Sequence, residues 1–264
     1  MPLDFAALRA KLNNFKGIND RQKALWKPPE GKSIIRIVPW KENTSLPFIE
    51  LYFHYLGNRT LLSPISFNGK DPIDEFAETL SEPHTKEAFL LARPFRPKLR
   101  TYIPVIVRGE EDKGVRFYSF GKTVYEDLGA IMDDEDYGDI TDPETGRDVV
   151  IEYIPKEKSD TTYPKTTVRA KPNATPLSTN PEQVKQWLTE QPDIREIYKA
   201  PSYEELTVVL QRYIDSDVTP EGPKVDPEDV VPSPTAEKAK VGSDPVKAVI
   251  AEFDSLFGDK SDKE

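Results

Sequence analysis

From Lys32 onward the chain is cut into short runs of β-branched and aromatic residues, and this period-two patterning constrains the fold more than any other feature. The runs are SIIRIVPW (33–40), LPFIELYFHYLG (46–57), RTLLSPISF (59–67), RTYIPVIVRG (100–109), GVRFYSFG (114–121) and RDVVIEYIP (147–155). Each is bounded by Gly, Pro or Asp, as strands are. Their connections are irregular, which argues against a parallel α/β sheet with a helix at every crossover. The expected fold is mainly β with peripheral helices (α+β), built on a compact Greek-key barrel or sandwich. DPIDEFAETL (71–80) and PHTKEAFLLA (83–92) read as two short helices of an insertion at about 58–92. That insertion should rest on Phe67, Ile73, Phe76, Leu80, Phe89 and Leu90. KTVYEDLGAIM (122–132) reads as a further helix and DDEDYGDITDPETG (133–146) as an acidic loop. Helical patterns return at 181–191, 193–200 and 202–214, the last opened by a capping-box pair, Ser202 and Glu205.

The two ends differ from this core, which spans 21–214. In DFAALRAKLNNFK (4–16), Phe5, Leu8, Leu12 and Phe15 lie at helical spacing beside Arg9, Lys11 and Lys16. Residues 1–20 therefore read as a basic amphipathic arm in need of a partner surface, or as a helix packed on its own core. From 215 to 264 the chain is rich in Pro and acid with few large apolar residues, which predicts disorder. A stripe reappears at the end, where Phe253, Leu256 and Phe257 could dock on a partner.

Catalytic chemistry finds little to work with. There are no cysteines, which excludes disulfides and thiol nucleophiles, and His54 and His84 are the only histidines. Neither histidine sits in a metal-ligand spacing, and no phosphate loop, dinucleotide fingerprint or nucleophile elbow is present. The chain reads as a non-enzyme without a cofactor. No apolar run is long enough to span a bilayer, and the first residues do not read as a secretory leader.

The net charge of −10 conceals a division. Residues 1–125 hold 20 Lys/Arg against 14 Asp/Glu, and the remainder is strongly acidic. A basic half can meet a polyanion while an acidic half keeps the chain soluble. Aromatic residues are interleaved with these cations. ARPFRPKLRTY (92–102) carries Arg93, Arg96, Lys98, Arg100 and Tyr102. Period-two alternation puts Arg116, Tyr118 and Phe120 on one face, with Lys122 just beyond. TTYPKTTVRAK (161–171) adds Tyr163, Lys165 and Arg169 in an extended segment. Arg36 interrupts an apolar strand, so it either pairs internally or points into a groove. Single-strand binding needs cations along the phosphates and ring faces for bases, each stack contributing about 1–3 kcal/mol. An aromatic on a strand is a core residue at least as often. The rival readings are a single-stranded RNA-binding regulator and an acidic scaffold protein that binds no nucleic acid.

The order of these segments resembles a known family. LWKPPEGKSIIRIVPWKENTSLPFIELYFH, RTYIPVIV, VRFYSFGKTVYEDLGAIM, TYPKTTVRAKPNATPLS and YKAPSYEELTVVLQRY are similar, in that order, to the replication single-stranded DNA-binding proteins of T-even-like phages. The match covers about residues 25–214. It implies an OB-fold core with an inserted subdomain, and sequence-independent, cooperative binding of single-stranded DNA in replication, recombination and repair. Arg36, Tyr118, Lys122 and Tyr163 fall where the family lines its DNA cleft, and Arg93 to Arg100 fall on its basic strand. The implied partners are neighbouring protomers through the arm and phage replication and recombination proteins through the tail, in the host cytoplasm. Two features depart from the family. Its inserted subdomain usually holds zinc through one His and three Cys. Here His54 stands near the His position and Asp71-Pro-Ile-Asp74 at a Cys pair, so the zinc site reads as lost. The family's short basic motif in the arm is also missing, leaving Arg9, Lys11 and Lys16 to substitute.

Overall fold

The computed structural model describes residues 23–215, apart from Pro83 and Lys199. The expectations for Arg9, Lys11 and Lys16 in the arm, and for Phe253, Leu256 and Phe257 in the tail, lie outside the described residues. The described residues form eight strands: β1 (Leu25–Trp26), β2 (Gly31–Ile37), β3 (Ile49–Leu56), β4 (Arg59–Leu62), β5 (Lys98–Val107), β6 (Arg116–Phe120), β7 (Arg147–Ile154) and β8 (Lys165–Ala174). The helices are α1 (Pro72–Ser81), α2 (Lys86–Ala92), α3 (Lys122–Asp133), α4 (Pro181–Thr189), α5 (Ile194–Ile197) and α6 (Tyr203–Asp215). The chain is mainly β with peripheral helices, and its pairing is mixed: β1 runs parallel to β6, whereas β2 is antiparallel to both β5 and β7.

The described chain divides into two compact units. The first comprises the described parts of 1–50 and 100–199. Its strands follow the order β1-β6-β5-β2-β7-β8. Alternation sorts the residues onto two faces. Ile35, Ile37, Ile103, Val105, Tyr118, Phe120, Val149 and Ile151 point inward, where Val124 and Leu128 of α3 close over them. On the opposite face Val38 and Ile106 meet Leu177 and, from α4, Trp187. Both faces are thus partly covered, each by one amphipathic helix. α4 starts where Asn180 caps it by accepting from the Glu182 N–H at 3.0 Å, with Pro181 in the first turn.

The second unit comprises 51–99 with the described residues from 200. β3 and β4 form a hairpin in which Leu56 pairs with Arg59. Its two-residue loop begins at Gly57 with φ 57, a conformation that costs glycine least. Ile73, Phe76, Ala77 and Leu80 of α1 pack with Leu206, Leu210 and Ile214 of α6. The capping box at α6 is reciprocal: Ser202 Oγ accepts from the Glu205 N–H at 3.2 Å, and the Ser202 N–H donates to Glu205 Oε2 at 2.9 Å. The expected support of this unit needs one correction. Ile73, Phe76 and Leu80 are buried, but Phe67, Phe89 and Leu90 are exposed. α2 buries Ala88 and Ala92 instead, four residues apart on one face, which turns Phe89 and Leu90 outward.

Candidate nucleic-acid interface

The residues expected to contact a ligand fall into an enclosed set and an exposed set. The alternation in β6 is as read, since Arg116, Tyr118 and Phe120 do share a face. That face is the inner one. Tyr118 is fully buried, with its ring 5.2 Å from Trp26 in an edge-on contact and 5.2 Å from Phe120. Arg116 is buried as well, and its Nη2 donates to Glu110 Oε2 at 2.6 Å. Hydrogen bonds from Arg116 and Lys113 hold the Glu110 carboxyl below its ordinary range. Tyr102, on the other face, is buried beside Tyr198 at 5.8 Å, and burial raises its hydroxyl well above the usual value.

Arg36 resolves the choice its sequence position posed: it pairs internally. It is fully buried and donates from Nη2 to the Asp142 carbonyl. Burial lowers its pKa to about 10, against the opposing pull of Asp148. The segment expected as an acidic loop is therefore anchored to the sheet at Asp142. Asp142 Oδ1 also accepts from the Glu144 and Thr145 N–H groups at 2.8 and 2.7 Å, folding the turn upon itself. Gly146 completes the fit. A Cβ there would lie 2.5 Å from Arg36 Nη2 and 2.6 Å from the Asp142 and Ile140 carbonyl oxygens. Gly146→Ala is expected to cost about 1–3 kcal/mol through overpacking, read as a lower urea midpoint with an unchanged m-value. A wild-type midpoint would show that the turn yields freely. Arg36, Tyr102, Arg116 and Tyr118 are thus framework positions in this structure, and burial denies them the surface contacts that their residue types suggested.

The exposed set lies elsewhere. Lys165, Thr167 and Arg169 are exposed on one face of β8, and Lys122 is exposed at the start of α3. Register continues that face across the sheet. Lys165 stands opposite Ile154, Thr167 opposite Glu152 and Arg169 opposite Val150. Glu152 in turn faces Lys32 on β2, with the two charges 3.7 Å apart. Further along the same face, Asp148 accepts from Arg108 Nε at 3.0 Å and lies 3.8 Å from Lys171 Nζ. Cations outnumber carboxylates on this surface. Lys32 and Arg108 were missed because each looks unremarkable alone, and only the pairing register sets them in line with β8. Tyr163 stands just before β8 and is 39% exposed.

In the second unit a smaller basic group gathers after α2. Arg93 is exposed, Arg96 Nη2 donates to Ser81 Oγ at 2.9 Å, and Lys98 Nζ lies 5.7 Å from the Tyr55 ring centroid. Burial, and then the neighbouring Arg93 charge, lowers the Lys98 pKa. An anion arriving here would relieve that crowding. Arg100, at the start of the first unit's share of β5, is half-buried.

Among the described residues no helix is long and apolar enough to cross a membrane. No curated protein matches the chain. A family model described as gp32 DNA binding protein like matches residues 29–214, most of the chain and nearly all of its described part. Apart from β1 and Asp215, the strands and helices of both units lie within this match, and the chain belongs to the gp32-like family of DNA-binding proteins.

Proposed function

We propose that the chain binds single-stranded DNA without regard to sequence, and that it protects and organises the strand in phage replication, recombination and repair. The observation that carries this reading is the set of exposed cations on one face of the sheet, Lys32 of β2 with Lys165 and Arg169 of β8, and the exposed Tyr163 just before β8. Cations spaced along a strand can follow phosphates, and a ring face accepts any base, so binding needs no reading of base edges. Arg93 and Lys98 would supply further phosphate contacts. The OB-fold reading belongs to the same proposal, supported by the antiparallel run β5-β2-β7 with its helical cover. So do cooperative contacts between neighbouring protomers through Arg9, Lys11 and Lys16. Recruitment of other phage proteins through Phe253, Leu256 and Phe257, within the host cytoplasm, completes it. No catalytic step and no cofactor are needed.

The test is a titration with end-labelled oligo-dT followed by fluorescence anisotropy. Trp26 and Trp187 are buried, so intrinsic fluorescence is the poorer reporter. Binding should weaken linearly in a log–log plot against salt, with a slope of about 0.7 per phosphate neutralised. A flat trace at low salt removes the proposal, and tighter binding of an RNA of equal length redirects it to RNA.

A further inference from the structure

The family resemblance implies an inserted unit held by a metal on one histidine and three cysteines, yet the chain has no cysteine. The residues at those positions are committed to one another. His54, in the middle of β3, is fully buried, and both of its ring nitrogens face acceptors. Nδ1 lies 2.7 Å from the Phe95 carbonyl oxygen and Nε2 lies 2.8 Å from Asp71 Oδ2. Neither acceptor has a proton to give. One is a carbonyl. The other is a carboxylate whose burial would raise its pKa, but the hydrogen bond and charge of His54, with Ser63 and the Ile73 N–H, hold it below the ordinary range. Both ring nitrogens are therefore engaged by oxygens of the protein itself.

Asp71 is equally occupied. Its Oδ2 also accepts from Ser63 Oγ at 2.5 Å, and its Oδ1 caps α1 by accepting from the Ile73 and Asp74 N–H groups at 2.9 and 3.3 Å. A carboxylate offers roughly four acceptor sites, and four donors fill them here. A metal would need a lone pair from His54 and another from Asp71, and each would have to break an existing hydrogen bond. Among the described residues no three His, Cys, Asp or Glu side chains are grouped to hold a metal. The donor set does not fit zinc.

The same contacts do what a metal would do. They tie β3, the segment after β4, the start of α1 and the turn after α2, which are distant in sequence. The last tie is reinforced by the Phe95 ring, edge-on to Phe76 at 5.1 Å and to Tyr213 at 5.9 Å. We propose that the buried His54–Asp71–Ser63 cluster is a metal-free fastener of this unit, replacing metal ligation with hydrogen bonds among an imidazole, a carboxylate and a hydroxyl.

The experiment uses the full chain expressed in zinc-supplemented medium. Bound zinc is measured by elemental analysis, and thermal and urea unfolding are followed with and without EDTA. The expected result is less than about a tenth of a zinc per chain and identical melting with and without EDTA. His54→Gln should raise the unfolding constant roughly tenfold to hundredfold, as the loss of hydrogen bonds to charged groups does. If that variant does not fold, Ser63→Ala, which removes one donor, should raise the constant about fivefold. Near-stoichiometric zinc, or a melting temperature that EDTA lowers, would overturn the proposal. So would wild-type unfolding in both variants.

Discussion

Asp148→Ala should cost about 3–5 kcal/mol of stability, the range for breaking a buried charge pair from one side. Asp148 is buried, with Arg108 Nη2 at 2.9 Å and Lys171 Nζ at 3.8 Å. It is also the carboxylate that acts most strongly to keep Arg36 charged against burial. Removing it leaves three cations sharing one side of the sheet, one of them wholly enclosed. Urea unfolding gives the measurement. Asp148→Asn should lose nearly as much while keeping the shape, which separates charge from packing. Should both variants unfold at the wild-type midpoint, the cluster is solvated and the reasoning is wrong. Arg108 extends the consequence, because its Nη1 donates to the Leu177 carbonyl at 2.8 Å and so holds the residue that packs against Trp187. Loss of Asp148 should therefore loosen α4 as well as the sheet, visible as faster amide exchange along that helix.

The second large effect is on affinity. Reversing Lys165 and Arg169 together to Glu should weaken oligo-dT binding by more than about 25-fold at 0.1 M salt. That figure is the counterion release of two phosphate contacts on a single strand, taken against 1 M salt, and the new negative charges add repulsion. The log–log salt slope should fall by about 1.4 at the same time. Both side chains are exposed, so unfolding should stay close to wild type. Lys122→Glu serves as the comparison: its cation already lies 3.4 Å from Glu126, and it stands off the β8 row. Unchanged affinity in the double variant, with intact folding, would move the interface away from this face.

The elements legible in the sequence were those with a one-sided apolar pattern. β2, β3, β5, β6 and β7, and the helices around them, stand within a few residues of the runs that announced them. β8 was read only as extended. Its residues are exposed or half-buried throughout, so no apolar alternation marks it, and its place in the sheet comes from the ladder with β7. The face problem is of a different kind. Alternation grouped Arg116, Tyr118 and Phe120 correctly, but period two cannot say which face is inside. Arg116 could be enclosed because Glu110, six residues earlier, neutralises it across a short turn. Long-range partners were the least legible. Asp71 read as a residue at a lost ligand position, and nothing local says that its carboxylate would meet a histidine 17 residues away. The capping box at Ser202 was readable because both of its members lie within one turn.

β8 has a second consequence, which concerns the purity of any sample rather than binding. It ends the strand order of the first unit, so along ten residues its outer edge carries no ladder among the described strands. Such an edge invites another chain to add a strand, and natural sheets discourage that with charge and proline. Lys165, Arg169, Lys171 and Pro172 supply both. The cations proposed to hold phosphate therefore also act as gatekeepers against aggregation. A neutral variant such as Lys165→Ala with Arg169→Ala could lose activity by clumping, which is why charge reversal, keeping the edge repulsive to its own copies, is the cleaner design.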